Sequence, residues 1–181
     1  MMIKFNLLGG LLVMLATSLH LGASESDVSE ESQQETSAVQ IEWKDPENYF
    51  DVESADGFDE DFRDNVFFQL EKHIKKIAKQ LPEGQSLKMV VTDLDLAGRL
   101  WPGMFYGFNG GNDVRIVKTV DFPRVEFQYE LTDEQGAMVI SGDENLRDMG
   151  FQQRVSRVFR SDPLRYEKAM IERWMRATLI N

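Results

Sequence analysis

Two aspartates separated by one residue are the clearest candidates for chemistry in this chain of 181 residues. Asp93 and Asp95 lie at the end of an apolar stretch typical of a strand, where residues two apart project from the same face. Paired carboxylates can bind a hard cation or share acid–base work. They can equally end a strand and pair with Arg99 or a C-terminal arginine, and we favour that structural role.

A second candidate is a run of arginines spaced by three residues. Guanidinium groups bind carboxylate and phosphate bidentately, so Arg154, Arg157 and Arg160 could hold an anion if they follow one side of a helix. The alternative, which we favour, is an internal network in which basic residues near the C-terminus pair with the acidic strand end. The residues assigned to this structural network are Asp93, Asp95, Arg147, Asp148, Asp162 and Arg165.

An aromatic and glycine-rich segment is the best candidate for binding a ligand or partner. Residues 99–112 read RLWPGMFYGFNGGN and are predicted to form a loop. Aromatic rings on a mobile backbone suit stacking on a sugar or gripping a peptide, so we assign Trp101, Phe105 and Tyr106 to binding. The alternative is that the loop folds its rings back over the sheet.

The composition excludes several classes of site. There is no cysteine, which excludes disulfides, thiolate zinc sites and cysteine nucleophiles. One of the two histidines, His20, lies in a predicted export signal. The other, His73, lies among lysines and is predicted to be exposed or at a boundary. No nucleophile-elbow motif accompanies it. We therefore predict no catalytic residue, no bound metal and no cofactor.

The charge is distributed unevenly along the chain. The net charge is −11, yet residues 24–60 hold 13 acidic residues and one lysine, whereas residues 61–181 are neutral. Within the neutral part, residues 147–181 carry a surplus of four positive charges. The acidic segment is interpreted as a solvated leader, with a lid that folds onto the basic tail as the alternative. Net acidity disfavours nucleic acid as a partner.

The first residues have the organisation of a secretory signal peptide. Lys4 supplies a positive charge, residues 5–16 form an uncharged apolar run, and small residues allow cleavage after Ser18 or Ala23. The run is shorter than the roughly 20 apolar residues that a membrane-spanning helix needs. We therefore predict a signal peptide at residues 1–23 and a periplasmic or secreted protein that does not span a membrane once the signal is removed.

Residues 24–38 are predicted to be an acidic disordered linker, because so few apolar residues cannot offset the entropy of ordering the chain. Residues 39–181 are predicted to form a single domain, in which hydrophobic periodicity identifies the elements. The predicted strands are 39–43, 87–96, 113–120, 125–131 and 138–146, with a hairpin turn at 133–136. The predicted helices are 59–81 and one starting at Asp162-Pro163, with a short helix or irregular turn at 154–160.

This order of elements predicts an α+β fold: a single antiparallel sheet of about four to five strands with two main helices packed on one face. The strand at 87–96 has apolar residues on both faces, which predicts a central, covered strand. Asp162 is expected to cap the last helix, since aspartate is a good N-cap and proline suits the first helical position.

Several stretches resemble a known family. They are WKDP at 43–46, VTDLDLAG at 91–98, DFPR at 121–124, LRDM at 146–149 and RSDPLRYEKAMIERWMR at 160–176. Together they resemble the bacterial exported family catalogued as domain of unknown function 3016, over about residues 39–176. The resemblance implies a small exported protein of Gram-negative bacteria. It implies no activity, substrate or catalytic residue.

These observations favour a binding protein over an enzyme. We predict a non-enzymatic exported protein that binds or scaffolds components of the cell envelope, with an envelope protein, a peptide or a glycan as the partner. One alternative is a carboxylate-based hydrolase, with or without a metal, built on Asp93 and Asp95. Another is a small-molecule carrier with a pocket between the sheet and the helices.

Overall fold

The computed structural model describes residues 38–107, 112–154 and 161–180, all of which belong to one compact unit. The predicted signal peptide and the predicted linker up to residue 37 lie outside the described residues, and both stay predictions. Within the described ranges, none of the helices combines the length and the apolar character needed to span a membrane.

Six strands and three helices make up the described fold. The strands are β1 (Val39–Trp43), β2 (Ser86–Asp95), β3 (Arg99–Pro102), β4 (Asp113–Ile116), β5 (Arg124–Thr132) and β6 (Met138–Arg147). The helices are α1 (Asp59–Ala78), α2 (Phe151–Arg154) and α3 (Arg165–Thr178), with single 3₁₀ turns at Pro46–Asn48 and Gly103–Tyr106. A mixed α and β composition is confirmed.

Four strands form the main sheet in the order β1-β2-β5-β6. β1 runs parallel to β2, with Val39 opposite Leu87, whereas the β2–β5 and β5–β6 pairs are antiparallel. The prediction of a purely antiparallel sheet is therefore wrong. The reason is that α1 lies in the connection between β1 and β2. A helical crossover lets the chain start the next strand in the same direction.

A second, two-stranded sheet corrects the prediction of a single sheet. β3 and β4 pair with each other, with Arg99 opposite Ile116, so residues 99–102 are a strand rather than part of a loop. Gly98 makes this possible because its φ of +93° turns the chain out of β2, a conformation that favours glycine. Its N–H donates to the Asp121 carbonyl at 2.9 Å, which holds the turn in place.

Helices α1 and α3 pack on one face of the main sheet and form the core with it. On α3, Trp174 contacts the rings of Phe127 and Tyr129 edge-on, at 4.7 and 5.0 Å between centroids. On α1, Phe67 stacks on Trp43 of β1 at 4.1 Å. The apolar residues that alternate along β5 are all buried, namely Val125, Phe127, Tyr129 and Leu131.

The strand β2 is central, as predicted, but it is buried on one face only. Val91 is buried in the core, whereas Thr92 is exposed. The register shifts between Val91 and Asp93, so Leu94 returns to the core. Such a bulge changes which residues share a face. Asp93 and Asp95 consequently lie together on the face opposite the core.

The end of α1 and the start of α3 differ from the prediction. α1 begins at Asp59 as expected, but it ends at Ala78 rather than at residue 81. α3 begins at Arg165, and Leu164 occupies its N-cap position, so the prediction that Asp162 caps this helix is wrong. Asp162 Oδ1 instead accepts a hydrogen bond from the Leu164 N–H at 2.8 Å, which closes a turn just before the helix.

The prediction that His73 is exposed or at a boundary is also wrong. His73 is 9% exposed, and its Nε2 lies 3.1 Å from the Lys168 carbonyl oxygen and 3.6 Å from Glu172 Oε2. Burial lowers the pKa of this imidazole, and the Glu172 carboxylate opposes that change. His73 therefore connects α1 to α3 as part of the helix interface.

Candidate functional site

A buried glutamate on α3 marks the strongest candidate site. Glu167 is 1% exposed, and its Oε1 accepts a hydrogen bond from the Ala97 backbone N–H at 2.7 Å. Its Oε2 is also buried and has no hydrogen-bond partner among the described residues. A buried polar atom without a partner destabilises a fold by about 1–3 kcal/mol, so an unpaired carboxyl oxygen at this depth calls for a functional explanation.

Helical spacing places Glu167 in the interior, and sequence reasoning missed it. Glu167 follows Leu164 by three residues and precedes Ile171 by four, so it falls on the buried stripe of α3. The signal was present in the sequence, because a charged residue on a predicted apolar stripe is unusual. It was overlooked because an acidic residue near a helix start is also favoured by the helix dipole.

Glu167 lines a cavity of about 270 Å³ between α1, the start of α3 and the turn that follows β2. The walls are mostly apolar, with a few polar groups, which is the usual composition of a site for a small ligand. The apolar lining residues are Phe62, Val66, Leu96, Leu100, Pro163 and Leu164. The polar groups beside Glu167 are those of Glu53, Asn65, Gln69 and Arg115.

The electrostatics of the cavity favour the neutral form of its glutamic acid. Burial raises the pKa of Glu167, because taking a carboxylate out of water is unfavourable. The Ala97 N–H and the charges of Arg115 and Arg165 oppose this rise and do not cancel it. As a neutral acid, Glu167 can donate one hydrogen bond through its second oxygen while Oε1 accepts the Ala97 N–H.

The rim of the cavity is held by an arginine on β4. Arg115 Nη1 donates to Asp51 Oδ2 at 2.8 Å and to the Gly98 carbonyl at 3.3 Å. Its Nη2 donates to the carbonyls of Asp51 and Glu53, at 3.0 and 3.2 Å. Arg115 thus fixes the segment before α1 against the second sheet, so this wall of the cavity is formed without a ligand.

A charged groove of about 340 Å³ lies beside the cavity, on the outer face of the main sheet. Burial raises the pKa of Asp95 in this groove to about 6, and the charges of Arg99 and Arg124 oppose the rise. Arg99 Nη1 lies 3.8 Å from Asp95 Oδ1. The groove is lined by Phe50, Asp95, Arg99, Val120, Asp121, Phe122, Arg124 and Arg147.

Asp93 and Asp95 share Arg124 as a neighbouring charge but differ in their direct contacts. Asp93 Oδ2 accepts a hydrogen bond from Arg124 Nη2 at 2.8 Å, and its Oδ1 accepts one from the Phe50 N–H at 3.2 Å. Asp95 faces Arg99 as described above. Among the described residues, no group of three or more histidine, cysteine, aspartate or glutamate side chains could hold a metal. The arrangement favours the structural role of this pair over the hydrolase alternative.

The predicted structural network is divided into separate sets of contacts. Asp148 is buried and accepts hydrogen bonds from Arg154 Nη1 at 3.1 Å and from Arg173 Nη2 at 2.6 Å. Arg154 therefore serves to tie α2 to Asp148. Arg157 and Arg160, the other two arginines of the predicted anion site, lie outside the described residues.

The remaining members of that predicted network have local partners. Asp162 pairs with the buried Lys168 at 2.6 Å, and Arg165 Nη1 donates to the Asp162 carbonyl at 3.1 Å. Arg147 Nε donates to Asn145 Oδ1 at 2.9 Å, within β6. The structure thus places Arg147 near Asp95, at the groove, and keeps Asp162 and Arg165 together at the start of α3.

The aromatic residues assigned to binding lie on β3 and the 3₁₀ turn after it. The exposed fractions of Trp101, Phe105 and Tyr106 are 37%, 73% and 42%. Trp101 and Tyr106 meet edge-on at 6.3 Å, and Lys118 Nζ lies 4.0 Å above the Trp101 ring. The rings are therefore presented to solvent rather than folded over the main sheet.

The comparisons with known proteins agree with the resemblance found in the sequence. Two of the stretches that carry it meet at the cavity, because Ala97 belongs to VTDLDLAG and Glu167 to SDPLRYEK. No curated protein and no solved structure matches the chain. The model of the family described as protein of unknown function, DUF3016, matches residues 37–177. The chain therefore belongs to the DUF3016 family.

Proposed function

We propose that the protein is an exported, non-enzymatic binding protein of the cell envelope that holds a small molecule in the cavity beside Glu167. One observation carries this proposal: Glu167, whose Oε2 is buried without a partner among the described residues, is a lining residue of a mostly apolar cavity. A bound molecule would supply the missing hydrogen bond and remove the apolar walls from water.

The dimensions of the cavity limit the ligand. Its volume of about 270 Å³ lies at the lower end of the range for ligand pockets, roughly 300–1,000 Å³. It suits one small molecule, or the end of a longer one, rather than a folded peptide or an oligosaccharide. The ligand that fits this wall is mostly apolar and carries one group that can accept or donate a hydrogen bond.

The surroundings of Glu167 favour binding over catalysis. The described wall presents the amide side chains of Asn65 and Gln69 near it, together with Arg115, whose Nη groups are already bonded to the protein. General acid–base work usually needs a second reactive group within hydrogen-bond reach. Glu53, the other acidic residue of the lining, is exposed, and apolar packing dominates the wall.

Export is the second part of the proposal, and the amino-acid pattern at residues 1–23 supports it. We expect the protein to be cleaved after Ser18 or Ala23 when it is made in a cell that exports it. Mass spectrometry of the protein recovered outside the cytoplasm measures the new N-terminus directly. An uncleaved chain that stays in the cytoplasm would contradict export without affecting the cavity.

Nuclear magnetic resonance of methyl groups tests the ligand site. We expect phenol, benzamide or cyclohexanone, added at millimolar concentration, to shift the methyl signals of Leu100 and Leu164 on the cavity wall. The methyl signals of Leu131, on the far side of the core, should stay in place. Shifts that spread over the surface, or none with all three compounds, would contradict the proposal.

Two variants separate this site from non-specific binding. Glu167→Leu should abolish the shifts, whereas Arg176→Gln, at an exposed residue of the same helix, should preserve them. Because Glu167→Leu also removes the acceptor for the Ala97 N–H, a second variant, Leu100→Trp, narrows the cavity and leaves Glu167 in place. Binding that survives both Glu167→Leu and Leu100→Trp would show that the cavity is not the site.

The exposed aromatic turn favours a second function, capture of an envelope partner. Trp101, Phe105 and Tyr106 form an exposed aromatic patch next to the exposed Met104, and such patches mark interaction surfaces. Combined replacement of the three rings by alanine should abolish capture of a partner in a pull-down from envelope extracts. Phe68→Ala, at an equally exposed ring on α1, is the matched control. Unchanged capture by the triple variant would exclude the turn.

A further inference from the structure

We propose that the groove beside Asp95 is a separate binding site for the oxyanion of a small organic acid or phosphate ester, held by Arg99, Arg124 and Arg147. The site differs from the cavity in its lining residues and does not depend on the function proposed above. Three guanidinium groups around one groove provide the charge and the fork-shaped donors that carboxylate and phosphate require.

The side-chain N–H groups of Arg99 are available to a ligand. Its guanidinium stacks on the Phe50 ring, 4.3 Å from the centroid. The carboxylates of Asp51, Asp95 and Asp121 lie 3.7, 3.8 and 3.8 Å away, which is beyond hydrogen-bond distance. An arginine carries five N–H donors, and those of Arg99 form no side-chain hydrogen bond with the described residues.

The other two arginines also have donors to spare. Arg124 donates from Nη2 to Asp93 at 2.8 Å, but its Nε is buried and has no partner among the described residues. Arg147 donates from Nε to Asn145 at 2.9 Å, and no hydrogen bond joins its Nη groups to the described part of the chain. An oxyanion in the groove would bond to the free N–H groups of Arg99 and to the Nη groups of Arg147, and Arg124 would contribute its charge.

The charges around the groove are nearly balanced, because Asp93 beside it pairs with Arg124 at 2.8 Å. Three arginines line it against two carboxylates, those of Asp95 and Asp121. Nearby, Asp51 is already paired with Arg115 at 2.8 Å. Phe50, Val120 and Phe122 complete the walls. The groove therefore suits an anion with an apolar part rather than a bare inorganic ion.

Asp95 makes the affinity depend on pH. Its carboxyl faces Arg99 from β3 and Arg124 from β5, with the acidic Asp51, Asp93 and Asp121 and the basic Arg147 around the same groove. The pKa of Asp95 is raised by burial to about 6. As the pH falls through this value, Asp95 loses its negative charge and stops competing with a bound anion for the arginines. Benzoate and acetate, which stay largely ionised near pH 6, should therefore bind more tightly just below pH 6 than above it, whereas a phosphate also changes its own charge there.

Isothermal titration calorimetry with four anions tests the site. We expect phenyl phosphate or benzoate to bind, and inorganic phosphate and acetate to bind more weakly because they lack an apolar part. The comparison of phenyl phosphate with benzoate distinguishes a phosphate ester from a carboxylic acid as the ligand class. Absence of binding by all four anions, on both sides of pH 6, would overturn the proposal.

Three variants test whether individual side chains of the groove change the anion affinity in the expected direction. Arg147→Gln alters an exposed side chain and should weaken binding by roughly 10-fold or more, the value for one charge-assisted hydrogen bond. Arg176→Gln, at an exposed arginine near the end of α3, should change nothing. Asp95→Asn should tighten benzoate binding above pH 6 and remove its pH dependence. Unchanged anion affinity in Arg147→Gln, or weaker anion binding in Asp95→Asn, would overturn the proposed anion site. Glu167→Leu should abolish ligand binding in the cavity and leave anion binding in the groove intact.

Discussion

The end of β2 contributes to two concave regions, the groove and the cavity, in which carboxyl groups have different surroundings. Asp95 lines the groove, whereas Leu96 and Ala97, the next two residues, line the cavity. In the groove, several carboxylates and guanidinium groups face one another and remain partly open to water. In the cavity, the carboxyl group of Glu167 is fully enclosed and one of its oxygens has no partner among the described residues.

The comparison shows why burial alone does not identify a site. Burial raises the pKa of both Asp95 and Glu167. Around Asp95, two arginines stabilise the ionised form, so the carboxylate is part of a charged network. Around Glu167, the N–H groups of Ala97 and of Glu167 itself and the charges of Arg115 and Arg165 do not cancel the effect of complete burial. The missing contact, rather than the shifted pKa, is what points to a ligand in the cavity.

The largest expected effect comes from the glycine that joins the two regions. Gly98→Ala requires a left-handed φ and brings a Cβ to 2.8 Å from the Ile116 carbonyl oxygen. We expect it to lower the free energy of unfolding by about 2–4 kcal/mol, measured by urea denaturation.

Gly136→Ala is the control for the Gly98→Ala substitution. Gly136 has φ of +77° but no atom within 4 Å of the added Cβ, so only the backbone strain remains. Its replacement should lower the free energy of unfolding by about 1 kcal/mol. Equal losses in the two variants would show that the close approach of Gly98 to β4 does not hold the regions together.

The next largest effect is expected at the cavity. Glu167→Ala leaves the buried Ala97 N–H without its acceptor and enlarges the cavity, so it should lower the free energy of unfolding by about 2–3 kcal/mol. Arg176→Ala, on the same helix, breaks exposed contacts with Glu172 and Gln80 and should lower it by less than about 1 kcal/mol. Chemical denaturation of both variants measures the difference, and similar values would mean that the enclosure of Glu167 has no energetic consequence.

An intermediate effect is expected in the pH dependence of stability. Each of the two carboxyl groups has a pKa that is higher in the folded chain than in the unfolded chain, so the folded state binds the proton more tightly. The associated stability is full below the unfolded pKa and is lost as the pH rises through the folded one. For Asp95 this window runs from about pH 4 to about pH 6.

Two variants assign the pH dependence to each region. Asp95→Asn should remove the loss of stability between about pH 4 and pH 6, and Glu167→Gln should remove the loss that begins near the ordinary pKa of a glutamate. Urea midpoints measured across this range test both expectations. If neither variant changed the dependence of the urea midpoint on pH, groups other than these two carboxyls would cause that dependence.

The smallest effect is expected for the ion pair beside the groove. A double-mutant cycle on Asp93 and Arg124 should give a coupling of about 0.5–1 kcal/mol, because the pair is well aligned but partly exposed. The coupling should decrease at high salt, since solvent-accessible charges are screened. A coupling that is unaffected by salt would mean that this pair is as enclosed as Glu167.

Sequence reasoning predicted the local elements better than their arrangement. The helix beginning at Asp59 and the alternating strand through Phe127 and Tyr129 were confirmed, since each depends on periodicity within one segment. The parallel pairing of β1 with β2 was missed because it depends on where the crossover helix returns the chain. The β3–β4 sheet was missed because four-residue strands are too short to show a pattern.

The candidate site was predictable only in part. Asp95 was singled out from its spacing to Asp93, yet its neighbours Arg99 and Arg124 lie on different strands that only folding brings together. Glu167 carried a detectable signal in its position on an apolar stripe. Its unpaired oxygen and the cavity beside it arise from the packing of three elements, which periodicity within α3 cannot reveal.

The amino-acid sequence by itself determined the family, the mixed α and β character and the residues available for chemistry, because these depend on residue type and local spacing. The tertiary structure alone decided which charges are paired and which stay unpaired. Whether a carboxyl group such as Glu167 or Asp95 meets an arginine, a backbone N–H or an empty space depends on contacts between residues far apart in the chain. The free energy of a buried charge is governed by those contacts.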